Sequence, residues 1–420
     1  MCLVKEIWTL KNKGEEVKMV KKTINHYLVF TAIFNLASSA TFVTYALFLK
    51  SHGLNYLQIN LVNFVFMLCV TLLELPTGIF ADLFGRRYSL LWGCLLFVPS
   101  NLIYYFSKSF GGFICAEICG ALAVTFMSGA LDAWLKDSLD YHGFQGNLAE
   151  VFSKSEIVRN AMIIGGSLTG SYIAQFNLAI PWLLAACGAL LSALYLRFFF
   201  QEQYFCRKNL TWATGWQKIK SHLKESLSVP LGNKLIILLI SVDFGLILAY
   251  QAPNMFWTIV LEKYLHNTFT IGKVWAFIPV VCLIGAYCGG KLSNIFSSKK
   301  IIGLNILVIG LCLLIASRAG SVYMVVIFFA AHECGRGMMG PVRRAYINKH
   351  LPAKERATIL SFDSMISHLG AALGLLISGL IAKSYSIESA WLVSSILIIL
   401  QFSLVILLPN GKKPIKTLTY

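Results

Sequence analysis

With those near the loop ends set aside, five charged residues stand deep inside long apolar runs: Glu117, Asp243, Glu333, Arg336 and Asp363. A charge at the centre of a bilayer costs roughly 2.5–3.5 kcal/mol on insertion scales, so such a residue normally faces a cavity or a partner. Glu333 and Arg336 are three apart, on one helix face, where they can pair. That pair is either structural or opens when a proton or substrate arrives. Glu117 and Asp243 have no basic residue at helical spacing. Each can carry a proton or hold the cationic part of a substrate, the competition that proton-coupled transport requires. Asp363 lies nearly two turns into its run, either with this group or nearer the membrane surface. Glu74 precedes Pro76, which removes a backbone donor and can bend a helix, so Glu74 joins the coupling candidates. Asn35, near the middle of the first run, is a cavity-lining candidate. Gln251 and Asn254 flank Pro253, where a break would free backbone groups for a ligand.

The runs that carry these residues number twelve: about 24–49, 57–81, 88–106, 110–135, 157–176, 178–200, 233–258, 271–292, 301–317, 322–342, 357–382 and 388–408. Most exceed the roughly 17–25 residues that cross a bilayer as a helix. They are too long, and alternate too little, for membrane strands of about 10 residues. The composition agrees. Of 420 residues 57% are hydrophobic and 13% charged, with mean hydropathy +0.69. That excludes disorder and leaves too few charges to coat a soluble protein of this size. The expected fold is all-α and polytopic, with 12 transmembrane helices.

A net charge of +17 would suggest nucleic acid in a soluble chain. Here topology explains it, and no nucleic-acid partner is expected. Of the 36 Lys and Arg, 29 fall in the two tails and the loops on their side, five fall in the opposite loops, and Lys273 and Arg336 lie inside runs. This bias predicts both termini in the cytoplasm. The apolar run after Thr23 is too long for a signal-peptide core, so residues 1–23 read as a cytoplasmic tail. None of the 11 cysteines falls in an outer loop, and no disulfide framework, metal site or cofactor is expected. Without a GxxxxGK[ST] loop an ATP-driven pump is disfavoured. Asp140 and His142 share a loop with no further catalytic group, so a membrane enzyme is disfavoured too.

The chain divides into two halves. Residues 24–200 form six runs, 201–232 a basic linker, 233–408 six more, and 409–420 a tail. In the linker, Trp212, Trp216, Ile219 and Leu223 alternate with lysines, as in an amphipathic helix lying on anionic lipid. After run two stands Gly78-Ile-Phe-Ala-Asp82-Leu-Phe-Gly85-Arg86-Arg87, and after run eight Gly290-Lys-Leu-Ser-Asn294-Ile-Phe-Ser297-Ser298-Lys299. The second copy keeps the basic end and loses the acid. Such an echo suggests duplicated, pseudo-symmetric six-helix bundles.

The first copy resembles G-x-x-x-D-x-x-G-R-[KR], the signature loop of the major facilitator superfamily, at every specified position and at the expected place between spans two and three. The preceding Glu74-x-Pro76 is similar to a pattern of bacterial tetracycline and multidrug efflux members. Span five carries no proline where antiporter members have a Gly-Pro-rich stretch. The resemblance implies a secondary active transporter, not an enzyme, working by alternating access as a monomer in a bacterial plasma membrane. It implies a latch in which Asp82 pairs near the start of span eleven and Arg87 reaches an acid at the end of span four, Asp137. Proton-driven export of a small organic compound is the expected activity, with proton- or sodium-coupled nutrient uptake on the same fold as the alternative.

Overall fold

The computed structural model describes residues 2–205, 234–350 and 356–409, with side chains from Val17 onward and excluding 348–361. Most of the linker and of the C-terminal tail lie outside the described residues, so the amphipathic-linker reading does too.

Among the described residues every regular element is helical. The first half holds α1 (Cys2–Ser38), α2 (Tyr45–Ser51), α3 (Tyr56–Phe84), α4 (Arg86–Phe106), α5 (Phe110–Met127), α6 (Ala130–Tyr141), α7 (Leu148–Ile173) and α8 (Ile180–Phe199). The second holds α9 (Lys234–Glu262), α10 (Thr268–Leu292), α11 (Ser298–Ser317), α12 (Val322–His350), α13 (Arg356–Ser384) and α14 (Ile387–Ile406). Lipid offers no partners to a bare backbone, so each crossing segment satisfies its own N–H and C=O groups. α1 with α2, and α5 with α6, each make one long crossing, Val17–Ser51 and Phe110–Tyr141. Among the described residues ten crossings are long and apolar enough to span a membrane. α7 and α12 occupy the two remaining expected positions. Their charges lower their hydropathy: Glu150, Lys154, Glu156 and Arg159 in α7, and Glu333, Arg336, Arg343 and Arg344 in α12. This is an all-α polytopic membrane protein.

Two compact units are present: 1–42 with 72–215, and 43–71 with 216–420. Asn60 ties the stretch 43–71 to the second unit, donating to the Leu375 carbonyl at 2.8 Å and to Ser378 Oγ at 2.9 Å. In the first unit α1 packs on α7 and α8, and α4 on α5 and α8. In the second, α9 packs on α13 and α14, and α11 on α12 and α14. These are the same positions within each six-span set, so the packing repeats as the sequence echo does. The first core gathers Tyr27, Phe30, Leu90, Trp134, Leu139 and Phe200.

Internal prolines leave the helices unbroken. α3 continues through Pro76 and α9 through Pro253. No helix break therefore opens at Pro253. Gln251 instead donates to the Ile247 carbonyl of its own helix, 2.9 Å away. Trp257, near the end of its run, is buried and stacks on Phe329 with ring centres 6.3 Å apart.

Candidate functional site

On α9, Asp243, Tyr250 and Asn254 are spaced by seven and four residues and share one face. On α12, Arg336 and Arg343 are seven apart and share another. Two ion clusters of the second unit are built on these faces.

The first centres on Glu333. Arg336 Nη1 donates to Glu333 Oε1 and to Asn254 Oδ1, each at 2.7 Å. The guanidinium also lies over the Tyr250 ring, 4.5 Å from its centre, a cation–π contact. His332 is fully buried, its Nδ1 3.1 Å from Glu333 Oε1. Its ring lies edge-on to Tyr250 and nearly parallel to Phe329. Glu333 and Arg336 thus pair as their spacing suggested. Among the described residues two buried polar atoms here, His332 Nε2 and Tyr250 Oη, have no hydrogen-bond partner. Buried polar atoms are rarely left so.

The second cluster joins three helices. Arg343 Nη2 lies 2.7 and 2.8 Å from the two oxygens of Asp363 on α13. Arg343 Nε lies 3.3 Å from Asp243 Oδ1 on α9. Ser367 Oγ donates to Asp243 Oδ2 at 3.2 Å. All three charged side chains are largely buried: Arg343 is 19% exposed, Asp363 11% and Asp243 16%. Two carboxylates share one guanidinium, so with both ionised the cluster carries one uncompensated negative charge in a poorly solvated place. Arg343 was missed in the sequence because hydropathy falls at that point and assigned it to a loop. Its helix runs on to His350.

In the first unit Glu117 is buried and accepts a 2.5 Å hydrogen bond from Tyr104 Oη. Tyr104 in turn stacks on Trp182, ring centres 3.8 Å apart. Asn35 donates to the Thr31 carbonyl of its own helix at 2.8 Å and is half-buried. Glu74 is exposed, at the edge of hydrogen-bond reach of Ser128 Oγ, 3.5 Å away.

The signature loop is held from within the first unit. Gly85 adopts φ +100°, a conformation that side chains disfavour. The turn presents the first free amides of α4 to Glu202, which follows α8. Arg86 N and Arg87 N donate to its two oxygens at 2.7 and 3.1 Å. A carboxylate at a helix N-terminus satisfies orphan amides and opposes the dipole. Burial nevertheless pushes the Glu202 carboxyl up from its ordinary range, against those amides and the nearby Arg86 charge. Asp82 pairs with Arg86 at 2.8 Å. Arg87 Nη2 donates to the Arg197 carbonyl in the last turn of α8, 2.7 Å away. Asp137 lies near enough for its charge to act on Glu202. At Gly78 an added Cβ would meet nothing within 4 Å. The only sequence signal for Glu202 was a lone acid directly after an apolar run. The span-eleven end of the implied latch, 351–361, lies outside the described side chains.

The degenerate copy keeps one of these bonds. Lys299 Nζ donates to the Ile406 carbonyl at 2.7 Å and to the Leu408 carbonyl, at the end of α14. In each six-span set, then, the basic end of the loop motif holds the carbonyl end of the last span. Among the described residues no group of three or more His, Cys, Asp or Glu could hold a metal ion.

Comparisons with known proteins agree with this anatomy. The Major Facilitator Superfamily profile matches residues 27–316 and 242–419. The chain is 22% identical over 388 residues to an uncharacterized MFS-type transporter, YxaM, of Bacillus subtilis (strain 168), covering 91% of this chain and 95% of that protein. It is 23% identical to multidrug resistance protein 2 of the same organism, over 72% of this chain and 74% of that one. It is 19% identical to the quinolone resistance protein NorA of Staphylococcus aureus, over 79% and 82%. Among solved structures, the nucleoside transporter NupG superposes with TM-score 0.74 at 12% identity, covering 93% of this chain and 98% of that one. That likeness is one of fold. A complete signature loop, a worn second copy doing the same helix-end work, and a profile match along nearly the whole chain agree: this protein belongs to the major facilitator superfamily.

Proposed function

We propose that this chain exports a small organic compound in exchange for protons. Secondary-active movement of small molecules belongs to its family and fold. The direction and the ion are our reading, and the observation that carries it is the Asp243–Arg343–Asp363 cluster. One guanidinium between two carboxylates leaves a negative charge that a single proton cancels. Protonation there loosens one arm of a bridge joining α9, α12 and α13. Two turns along α12, the paired Arg336 and the unmatched Tyr250 Oη and His332 Nε2 offer polar contacts to substrate. Glu117, within reach of Tyr104, is the corresponding acid of the first half. Export is favoured over uptake by the likeness to two proteins whose names describe drug resistance.

In this reading the halves are 24–200 and 233–408, both tails are cytoplasmic, the membrane is a bacterial plasma membrane, and a monomer suffices. Asp82, Arg86 and Arg87 stabilise one state of the cycle, with Glu202 fixing the turn that carries them.

The test uses inside-out vesicles with a preformed pH gradient, a broad compound panel and a pH-sensitive dye. The unmodified protein should dissipate the gradient with some compounds. Asp243→Asn and Asp363→Asn, at equal expression, should bind the same compounds and lose dissipation. Normal coupled exchange by both variants would sink the assignment. Compound accumulation driven in the opposite sense would make the chain an importer.

A further inference from the structure

α10 and α12 run side by side in the second unit, and their backbones approach closely around Gly285 and Gly337. A Cβ added at Gly285 would lie 1.9 Å from the Cys334 carbonyl oxygen, and one at Gly337 2.1 Å from that of Cys282. The backbones meet there because neither glycine has a side chain. Toward their N-terminal ends the same helices carry bulky residues, among them Phe277, Ile278, Ile327 and Phe329. A cavity of about 430 Å³ lies between them, lined by 270–281 and 325–330. Its floor is aromatic and buried: Trp257, Phe329 and Trp391. Its mouth is apolar and exposed, with Phe277 at 67% and Ile327 at 62% exposure. Exposed apolar side chains on a membrane-spanning helix pair fit a mouth that faces lipid.

At one end of this crevice stands Lys273, near the start of α10. It is exposed, and its ammonium lies 4.6 Å from the centre of the Phe269 ring. Among the described residues no carboxylate forms an ion pair with it. A lysine near the end of a span keeps its stem in the apolar layer and its charge at the headgroups. Here that position caps an apolar slot. Apart from the two indoles, Thr270 and Lys273 are the polar side chains of the lining, and both stand at the same end. This is a poor site for a solute needing polar contacts around it. It suits a chain with one charged end.

We propose that the crevice holds one acyl chain of an anionic glycerophospholipid, with the headgroup phosphate on Lys273. The occupant follows from charge complementarity and from what surrounds the mouth. The cation has no protein counter-charge among the described residues, the slot is apolar along its length, and the neighbouring solvent is lipid. A zwitterionic lipid brings its own cation and gains less from Lys273. Phe329 of the floor stacks on His332 of the first ion cluster, but no charged residue of either cluster lines the crevice, and the proposal holds whichever way the transporter runs.

The experiment is native mass spectrometry of the full chain, purified in detergent and offered equimolar phosphatidylglycerol and phosphatidylcholine with identical acyl chains. The unmodified protein should retain one phosphatidylglycerol in preference. Lys273→Gln should lower that preference about five-fold, the equivalent of roughly 1 kcal/mol for one lysine at an anionic surface. Ala330→Trp, which fills the slot, should lose bound lipid of both kinds. Lys383→Gln, at an exposed lysine outside the crevice, should change nothing. If the slot-filling variant fails to fold, the headgroup preference of the unmodified protein and its loss in Lys273→Gln still decide. Equal retention of the two lipids by the unmodified protein would overturn the proposal. So would unchanged preference in Lys273→Gln, or a bound peptide or non-lipid compound in place of lipid.

Discussion

Replacing Arg343 with glutamine removes the cation from between two buried carboxylates. In the native cluster its Nη2 lies within 2.8 Å of both Asp363 oxygens, and its Nε lies 3.3 Å from Asp243. Formal charge with both acids ionised goes from −1 to −2 in Arg343→Gln, and from −1 to 0 in Asp363→Asn. Breaking a buried ion pair by deleting one partner costs about 3–5 kcal/mol, chiefly through the charge left behind. Asp363→Asn leaves Arg343 paired with Asp243, so its cost is that of a weakened hydrogen bond, about 1 kcal/mol. The predicted order is therefore Arg343→Gln far below Asp363→Asn, with the triple variant Asp243→Asn/Arg343→Gln/Asp363→Asn recovering most of the loss. Thermal unfolding of detergent-purified protein at matched scan rate reads this out. At a few degrees per kcal/mol the single arginine variant should fall by about 10 °C. Unfolding of membrane proteins is often irreversible, so the comparison is of apparent midpoints at one scan rate. If Arg343→Gln costs no more than Asp363→Asn, the three charges do not act as one buried network, and proton coupling through them falls.

The two signature glycines should behave differently. Gly85→Ala places a Cβ 2.5 Å from Glu202 Oε2 at φ +100° and should lower stability by about 1–3 kcal/mol, whereas Gly78→Ala, in open space, should stay within about 0.5 kcal/mol; apparent melting midpoints separate them. For Glu202 the native carboxyl is raised above its ordinary 4.5, so the folded state binds this proton more tightly than the unfolded state. Stability from this group is full below about pH 4.5 and falls as pH rises through the native value. Glu202→Gln should flatten that slope in a series of melts from about pH 4 to 7, and an unchanged slope would show that another group causes it.

The spans were legible because lipid imposes one strong requirement, a long apolar helix, and it shows in composition. The signature loop and its echo were legible because spacing is preserved where a turn must be made. Pairing across helices was less so. The bond between Glu333 and Arg336 lies within one helix and could be read from a spacing of three. Arg343 and Asp363 are twenty residues apart on different helices, and local periodicity carries no information about that contact. The end of α12 misled for a related reason: a helix does not stop where hydropathy falls, since polar turns continue past the lipid boundary. Trp257 shows the same limit: an aromatic near the end of a run suits the membrane interface and the interior equally well, and only the neighbouring Phe329 decides. Glu202 was invisible because a capping carboxylate needs only to arrive at an amide pair, from any distance along the chain.

The paired clamps, Arg87 on the carbonyl of Arg197 and Lys299 on those of Ile406 and Leu408, bear on how the protein is made. Each joins the third span of a half to its sixth, across 110 and 107 residues respectively. A ribosome adding about 5–20 residues per second needs roughly 5–20 s to cover that distance. Through that interval the cation of the third span waits for a helix end that has not yet been synthesised. Each bundle is therefore sealed by its last span, and a nascent chain stalled before residue 197 holds its earlier spans with no clasp to close on.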